Sequence, residues 1–408
     1  MTDRPYEDIR IEGHLIDSLM LPQIWDDIMD LEGEFEVLTF DVGRTKTEHS
    51  VAVMRVFGRD RAHLDEILTA IQDHGAVAVE PEDAELKPAP ADGVLPEGFY
   101  TTTHMETHIR LGGEWIPVRN PEMDCGIRVD LPARAAETIP MNDVRRDELY
   151  VVGHGGLRVI PLERTRGSQP FEFMASAVSS EKPKALIIHE VARLLRRAKE
   201  GGREIIAVVG PAVVHTGAAP HLARLIERGY VTVLFGGNAV ATHDCESALL
   251  GTSLGISLTE GRPIAGGHEH HVRAINTVRR CGSFEAAVEQ GVLTTGIMYT
   301  CVKTGTPYVL AGSIRDDGPM PGVIRNVMEA QAAMRPFCQR AEVCLMLSSM
   351  LHSIATGNLL PARVHTVCVD INPAVVIKLA DRGSFQAIGI VTDVGLFLEQ
   401  LADELERG

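Results

Sequence analysis

Two periods divide the first eighty residues: alternation along short runs, and apolar positions recurring every three to four along longer ones. Asp8–Leu15 alternates like a strand, and Leu21–Leu31 sets Ile24, Ile28 and Leu31 on one helical face. Phe35–Asp41 and Ser50–Phe57 read as strands joined by the polar segment GRTKTEH. Arg61–His74 reads as a helix carrying Leu64, Ile67, Leu68 and Ile71, and Gly75 turns it into Ala76–Val79. The order β-α-β-β-α-β predicts a ferredoxin-like α+β sandwich over residues 1–80. Such a fold carries no function by itself.

Residues 81–98, PEDAELKPAPADGVLPEG with the acids and prolines it contains, read as a linker. Over 99–175 the strands are short and the turns frequent, which predicts a small β subdomain. In it, VVGHGGLRV is expected to be a hairpin turning at Gly153, Gly155 and Gly156, since no helix follows that would make it a phosphate loop. His104, Glu106 and His108 fall on one face of a strand; a mixed polar face explains them more simply than a metal set, and no metal is expected.

Over 176–408 apolar runs alternate with helical stretches, the mark of a parallel α/β sheet with helices on both faces. Ile205–Val209, Val231–Phe235, Tyr308–Ala311, Val343–Leu347 and Val364–Val369 give at least five strands. Their continuous apolar character suits strands covered on both sides. The whole is expected to be α/β, with a C-terminal Rossmann-like parallel sheet preceded by the ferredoxin-like domain and the β subdomain.

Composition narrows the class. A net charge of −17 argues against nucleic acid and anionic membranes as partners. No apolar run reaches the roughly 18–20 residues that span a bilayer, and the polar start MTDRPYEDIRIEG is no signal peptide. A cytoplasmic location is the default expectation. Seven scattered cysteines, none in a CxxC pair, fit a reducing compartment without a disulfide framework.

Candidate chemistry gathers where strands end: GPAVVHTG, FGGNAVATHD, AGSIRDDG, SSMLH and DINP. In open parallel sheets ligands bind beyond the carboxyl ends of strands. Asn238, Asp317, Ser348, Ser349, His352 and Asp370 would line such a crevice. For the loop with Arg315, Asp316 and Asp317, the spacing admits both a site and a solvated turn with an internal ion pair. Asp370 admits a ribose-gripping acid and a helix cap near Asn372-Pro373. GxGxxG is absent; Gly236-Gly237-Asn238-Ala239 offers close backbone approach and a helix N-terminus instead. In GGHEHH, His268 and His271 share a helical face and Glu269 reaches Arg273; the pattern admits a proton-handling set or a cap with a surface ion pair. Lys303 is read either as a partly buried base or as a solvated lysine.

GGNAVATHD, GGHEHHVRAIN, GIMYTCVKTGTPYVLAGSIRDDGP, SSMLHSIATGN and VDINP together resemble the archaeal-type ornithine cyclodeaminases, the LOR/SDH-domain family. They also look like the C-terminal module of the cyanobacterial bifunctional arginine dihydrolase/ornithine cyclodeaminase, and DIRIEGHLIDSLMLPQIWDDI extends the likeness to the N-terminal segment. The resemblance implies conversion of L-ornithine to L-proline and ammonia with tightly held NAD. The implied route is oxidation at Cα, ring closure with loss of ammonia, and return of the hydride to the cyclic imine. It implies NAD contacts at Asn238, Ala239, Asp317, Ser349, Met350, Leu351, His352, Asp370, Asp393 and Val394. For the chemistry it points to Lys303 as base, His268 and Glu269 as substrate and proton-handling groups, Asp316 as anchor for an amine, and Arg315 on the α-carboxylate. A homodimer or homotetramer is expected. Two alternatives stay open: an NAD enzyme on another amino acid or a polyamine, resembling deoxyhypusine synthase, and a non-enzymatic amino-acid sensor.

Overall fold

The computed structural model describes residues 4–15, 20–43, 48–72, 74–161, 184–257, 262, 267–314, 316, 318–382 and 387–407. The chain forms two units, 1–170 and 171–408.

The first unit begins with β1 (Tyr6–Gly13), α1 (Met20–Asp30), β2 (Glu34–Asp41), β3 (Ser50–Phe57), α2 (Arg61–Gln72) and β4 (Val77–Ala78). The strands pair antiparallel in the order β2-β3-β1-β4, the arrangement the periodicity predicted. Ile24, Ile28, Leu64, Ile67 and Ile71 are buried against Ile9, Ile11, Met54 and Val56. Full burial of such a side chain is worth about 1.5–3 kcal/mol, so this face decides the packing.

A seven-stranded sheet follows: β5 (Glu85–Pro88), β6 (Glu106–Leu111), β7 (Glu114–Arg119), β8 (Cys125–Asp130), β9 (Ala135–Pro140), β10 (Leu149–Val152) and β11 (Leu157–Ile160). Two expectations are corrected here. The supposed linker supplies β5, which pairs with β10 along Glu85–Pro88. Composition misleads because an edge strand tolerates proline and acid as a central strand does not. The supposed hairpin is not one: β10 pairs with β5 and β8, whereas β11 pairs with β6. Gly156, at φ +69°, has a different task, since a Cβ there would lie 2.3 Å from the backbone nitrogen of Ala84. His108 Nε2 lies 3.7 Å from Glu106 Oε1, and no metal-holding group of side chains occurs among the described residues.

The second unit opens with α3 (Lys184–Glu200), β12 (Glu204–Val209), α4 (Ala212–His215), α5 (Ala219–Glu227), β13 (Val233–Gly237) and α6 (Asn238–Leu250). A small hairpin, β14 (Thr252–Ser253) with β15 (Ile256–Ser257), precedes α7 (His270–Cys281), α8 (Phe284–Glu289), α9 (Ile297–Thr304) and β16 (Tyr308–Ala311). Then come α10 (Val327–Arg340), β17 (Ala341–Leu347), α11 (Leu351–Leu359), β18 (His365–Asp370), α12 (Pro373–Arg382), β19 (Ala387–Val391) and α13 (Val394–Arg407).

Six strands form one parallel sheet in the order β16-β13-β12-β17-β18-β19. Renumbered along the chain they run 3-2-1-4-5-6, two three-stranded halves that diverge from a switch between β12 and β17. Ile205, Ala207 and Val209 pack with α3, α5 and α13, while Ile206 and Val208 pack with α10 and α11. Both faces are therefore covered, as the unbroken apolar runs required. The described cysteines are free thiols, all buried but the half-buried Cys281. No helix of the described residues is long and apolar enough to cross a membrane.

Candidate functional site at the strand ends

The switch point is the tightest place in the sheet. Gly210, just past β12, faces Ser348, just past β17; a Cβ on Gly210 would lie 1.8 Å from the Ser348 carbonyl oxygen. Ser348 adopts φ +47°, a conformation non-glycine residues seldom take. It stays in the ladder through its N–H, which donates to the Val369 carbonyl at 2.8 Å. A strained residue held in this way at the mouth of a sheet is the kind of backbone that gathers at functional sites.

From this point the chain turns into α11. No side chain caps that helix at Met350, and none caps α6 at Gly237. Both N-termini therefore present backbone N–H groups at the carboxyl edge of the sheet, where they attract anions. By contrast α12 and α13 close themselves: Asn372 accepts from Ala374 N–H at 3.0 Å and Asp393 from Leu396 N–H at 3.0 Å.

The expected residues converge in part. His352, in the first turn of α11, lies over Gly237, where a Cβ would come within 2.8 Å of its ring Cε1. Burial pushes the His352 imidazole below its ordinary range, and the Asp316 carboxylate acts against that shift. Asp316, from the loop after β16, accepts from Ser313 N–H at 2.9 Å and from its hydroxyl at 3.0 Å. Asn238 is buried and engaged on both ends: Nδ2 donates to the Gly318 carbonyl at 3.0 Å, and Oδ1 accepts from Met320 N–H at 2.8 Å. Its side chain therefore ties the loop after β16 to α6, leaving the helix-start amides of Asn238 and Ala239 to face a ligand. Asp370 closes β18 half-buried, with Oδ1 accepting from Asn372 N–H at 2.8 Å. Val394 is buried, so it offers a ligand only its backbone. Ile314, Met350, Leu351 and Ile371 stand exposed on these loops, an apolar rim around polar strand ends. Arg315 and Asp317 lie outside the described residues, as does the His268 side chain.

Two expected residues are placed otherwise. Lys303 is exposed, in the last turn of α9, its Nζ 5.8 Å above the Tyr299 ring. The helix runs into the amino end of β16, so Lys303 lies at the opposite edge of the sheet from the crevice and is not a partly buried base. Glu269 forms an exposed ion pair with Arg273, whose Nε is 2.9 Å from its carboxylate.

The residues missed lie along α6. Its segment THDCE looks unpromising because polar residues occur on several faces of the helix and no amphipathic stripe appears. In the structure that is the signal: the helix is surrounded by protein. Asp244 is fully buried and accepts from the Ile297 and Met298 N–H groups at 2.8 Å each, capping α9. Gly296, at φ +105°, leaves room for that carboxylate. Burial pushes the Asp244 carboxyl up to about 6, against the lowering effect of the two amides. Glu246, also buried, accepts from His243, Thr252, Leu254 and Gly255.

This sheet, with its order 3-2-1-4-5-6 and helices on both faces, defines a doubly wound α/β protein of the Rossmann class. The Rossmann-fold model of the ArgZ-like arginine dihydrolase C-terminal region matches residues 189–401, its first region matches 106–188, and the LOR/SDH bifunctional enzyme conserved region matches 6–105. The ornithine cyclodeaminase of Methanocaldococcus jannaschii is 54% identical over 98% of this chain and 96% of its own. Apo ArgZ, a cyanobacterial arginine dihydrolase, superposes with a TM-score of 0.87 at 39% identity, covering 100% of this chain and 59% of that one. AgrE, the Nostoc bifunctional arginine dihydrolase/ornithine cyclodeaminase, solved as a ternary complex with ornithine and NAD+, gives a TM-score of 0.54 at 42% identity, over 99% of this chain and 58% of its own. The chain belongs to the family of the archaeal ornithine cyclodeaminases and the ArgZ-like C-terminal region.

Proposed function

We propose that this protein is an NAD-dependent ornithine cyclodeaminase, converting L-ornithine to L-proline and ammonia without net oxidation. The observation that carries the reading is the pair of uncapped helix starts at the carboxyl edge of a 3-2-1-4-5-6 sheet. A dinucleotide fits these residues by their chemistry. The Ser349–His352 turn occupies in the second half of the sheet the place that a phosphate turn takes in the first. Asp370 ends the second strand of that half, the place of a ribose-binding acid. The exposed Leu351 and Ile371 suit the face of an adenine ring, and a carboxylate at Asp370 disfavours a 2′-phosphate. Asp393 and the Val394 backbone extend the same edge. Held there, NAD supplies the acceptor and donor of one hydride.

The chain's own residues do the rest. The amides of Asn238 and Ala239 and the neutral ring of His352 orient ligand groups at the first half of the sheet. The loop from Gly312 to Gly318 bears Asp316, Arg315 and Asp317; a guanidinium there suits an α-carboxylate and a carboxylate suits an ammonium. Reaction without net redox requires that the intermediate imine stay enclosed, away from water and free carriers. The test is direct. Protein purified without added cofactor should release nicotinamide dinucleotide on denaturation, and incubation with L-ornithine should yield proline and ammonia in equal amounts with no accumulating NADH. Bound dinucleotide without proline would reject ornithine as the substrate, and its absence would reject the crevice as a cofactor site.

A further inference from the structure

A hydrogen-bonded network joins four elements around α6 that the crevice does not include. Glu246, 0% exposed, lies at its centre. Its Oε2 accepts from His243 Nδ1 at 2.9 Å and from Leu254 N–H at 3.2 Å; its Oε1 accepts from the Thr252 hydroxyl and Gly255 N–H, both at 2.9 Å. Burial pushes this carboxyl up, but the donors from His243, Gly255 and Thr252 outweigh burial and leave it below its ordinary range. It is an anion holding four donors, which a neutral amide cannot replace without setting N–H against N–H.

The ionised carboxylate dictates where protons sit. His243 must carry its proton on Nδ1 to donate. Thr252 has one hydroxyl proton and gives it to Glu246, so its oxygen can only accept from His270 Nδ1, 2.8 Å away. His270 is therefore an Nδ1–H tautomer too, and both rings keep Nε2 as a bare acceptor. His215 completes the group, its ring 4.7 Å from that of His243 and its Nδ1 2.6 Å from Ser253 Oγ. Gly255 and Gly267 fix the hairpin against the start of the GGHEHH segment, because a Cβ on Gly255 would lie 2.5 Å from the Gly267 backbone.

We propose that Glu246 is a positioning residue that holds His243 and His270 as a two-proton store for the reaction. The proposal rests on the cyclodeaminase reading, whose stoichiometry asks for two sites. Ornithine's α- and δ-ammonium groups must each lose a proton before their lone pairs act. One supports departure of the Cα hydride and the other closes the ring. Both protons are then returned, one to the departing ammonia and one to the ring nitrogen, so ornithine cation becomes proline and ammonium with hydrogens balanced. Two imidazoles with open Nε2 atoms match that count. In GGHEHH, His270 is wired to a buried carboxylate through the Thr252 hydroxyl.

Among the described residues, the titratable groups shown in contact with the pair are Glu246 on α6 and His215 on α4, both against His243. Glu246→Gln sets an amide N–H against the donors of the network and takes the acceptor away from His243 and, through Thr252, from His270. Glu246→Gln is expected to cut kcat about 10- to 100-fold with KM nearly unchanged, while Glu246→Asp, which keeps an anionic acceptor, restores much of kcat. Nitrogen-15 spectra of the wild-type protein at pH about 8, assigned with His243→Asn and His270→Asn, should show both rings as Nδ1–H tautomers. This reading needs no substrate and no Glu246 variant. Active wild type with either ring as the Nε2–H tautomer, or a folded Glu246→Gln protein with wild-type kcat, would overturn the store alone. Wild type that makes no proline would bring down the store and the cyclodeaminase reading together, and only that outcome touches the latter.

Discussion

The strand-end crevice and the interior of α6 use the same residue types to opposite effect. Along α6, buried carboxylates have their acceptor positions filled by protein donors: Asp244 by two amides, Glu246 by four groups. At the crevice, two helix starts lack caps and large apolar side chains stand in solvent. Satisfied polar groups fix a structure, whereas groups left open at a pocket mouth receive a ligand. The contrast yields variants that should separate stability from binding.

The largest effect is expected where backbone meets backbone. Gly210→Ala sets a Cβ 1.8 Å from a carbonyl oxygen that cannot rotate away, so it should lower stability by more than about 3 kcal/mol, read as a fall in Tm or loss of soluble protein. Gly237→Ala meets only the edge of the His352 ring, at 2.8 Å, and should fold while binding NAD poorly. Asp244 comes next. Asp244→Ala leaves two buried amides without an acceptor and should cost about 2–4 kcal/mol in chemical denaturation. Its ionisation has a sign of its own. The folded carboxyl binds its proton more tightly than the unfolded one, so its stabilising contribution is complete below about pH 4 and disappears as pH rises through about 6. Asp244→Asn should remove that slope. Glu246, lowered instead of raised, acts in the opposite direction, losing its contribution as pH falls.

Smaller effects are expected at the crevice, and in binding alone. Asp370→Ala should leave the melting midpoint of NAD-free protein nearly unchanged and weaken NAD about 10-fold by calorimetry, the loss of one charged hydrogen bond. Least of all should follow from Lys303→Ala: an exposed lysine at the wrong edge of the sheet should give kcat and Tm close to wild type. A large loss of kcat there would reverse its placement outside the chemistry.

Much of this was legible from sequence, for physical reasons. The parallel strands are unbroken apolar runs because both faces are buried, and the ferredoxin-like order showed in alternation and helical spacing. β5 was missed because an edge strand tolerates Pro88 and Glu85, and β19 because Ala387–Val391 is short and lies between two helices. The strand-end residues announced themselves by position, and the structure brings Asn238, Asp316 and His352 to one edge. The network of His215, His243, Glu246, Thr252 and His270 did not. Its members lie 55 residues apart at the extremes, and a polar helix without an amphipathic stripe gives no hint that its polar groups find partners inside.

The measurement that tests the central claim most directly follows one hydrogen. Ornithine carrying deuterium at Cα should give proline that keeps the label at its own Cα, with ammonia released in equal amount and no deuterium passing to solvent. That result places oxidation and re-reduction at one enclosed NAD. Proline with hydrogen at Cα, or ammonia released without proline, would contradict internal hydride return and with it the crevice as the seat of a closed redox cycle.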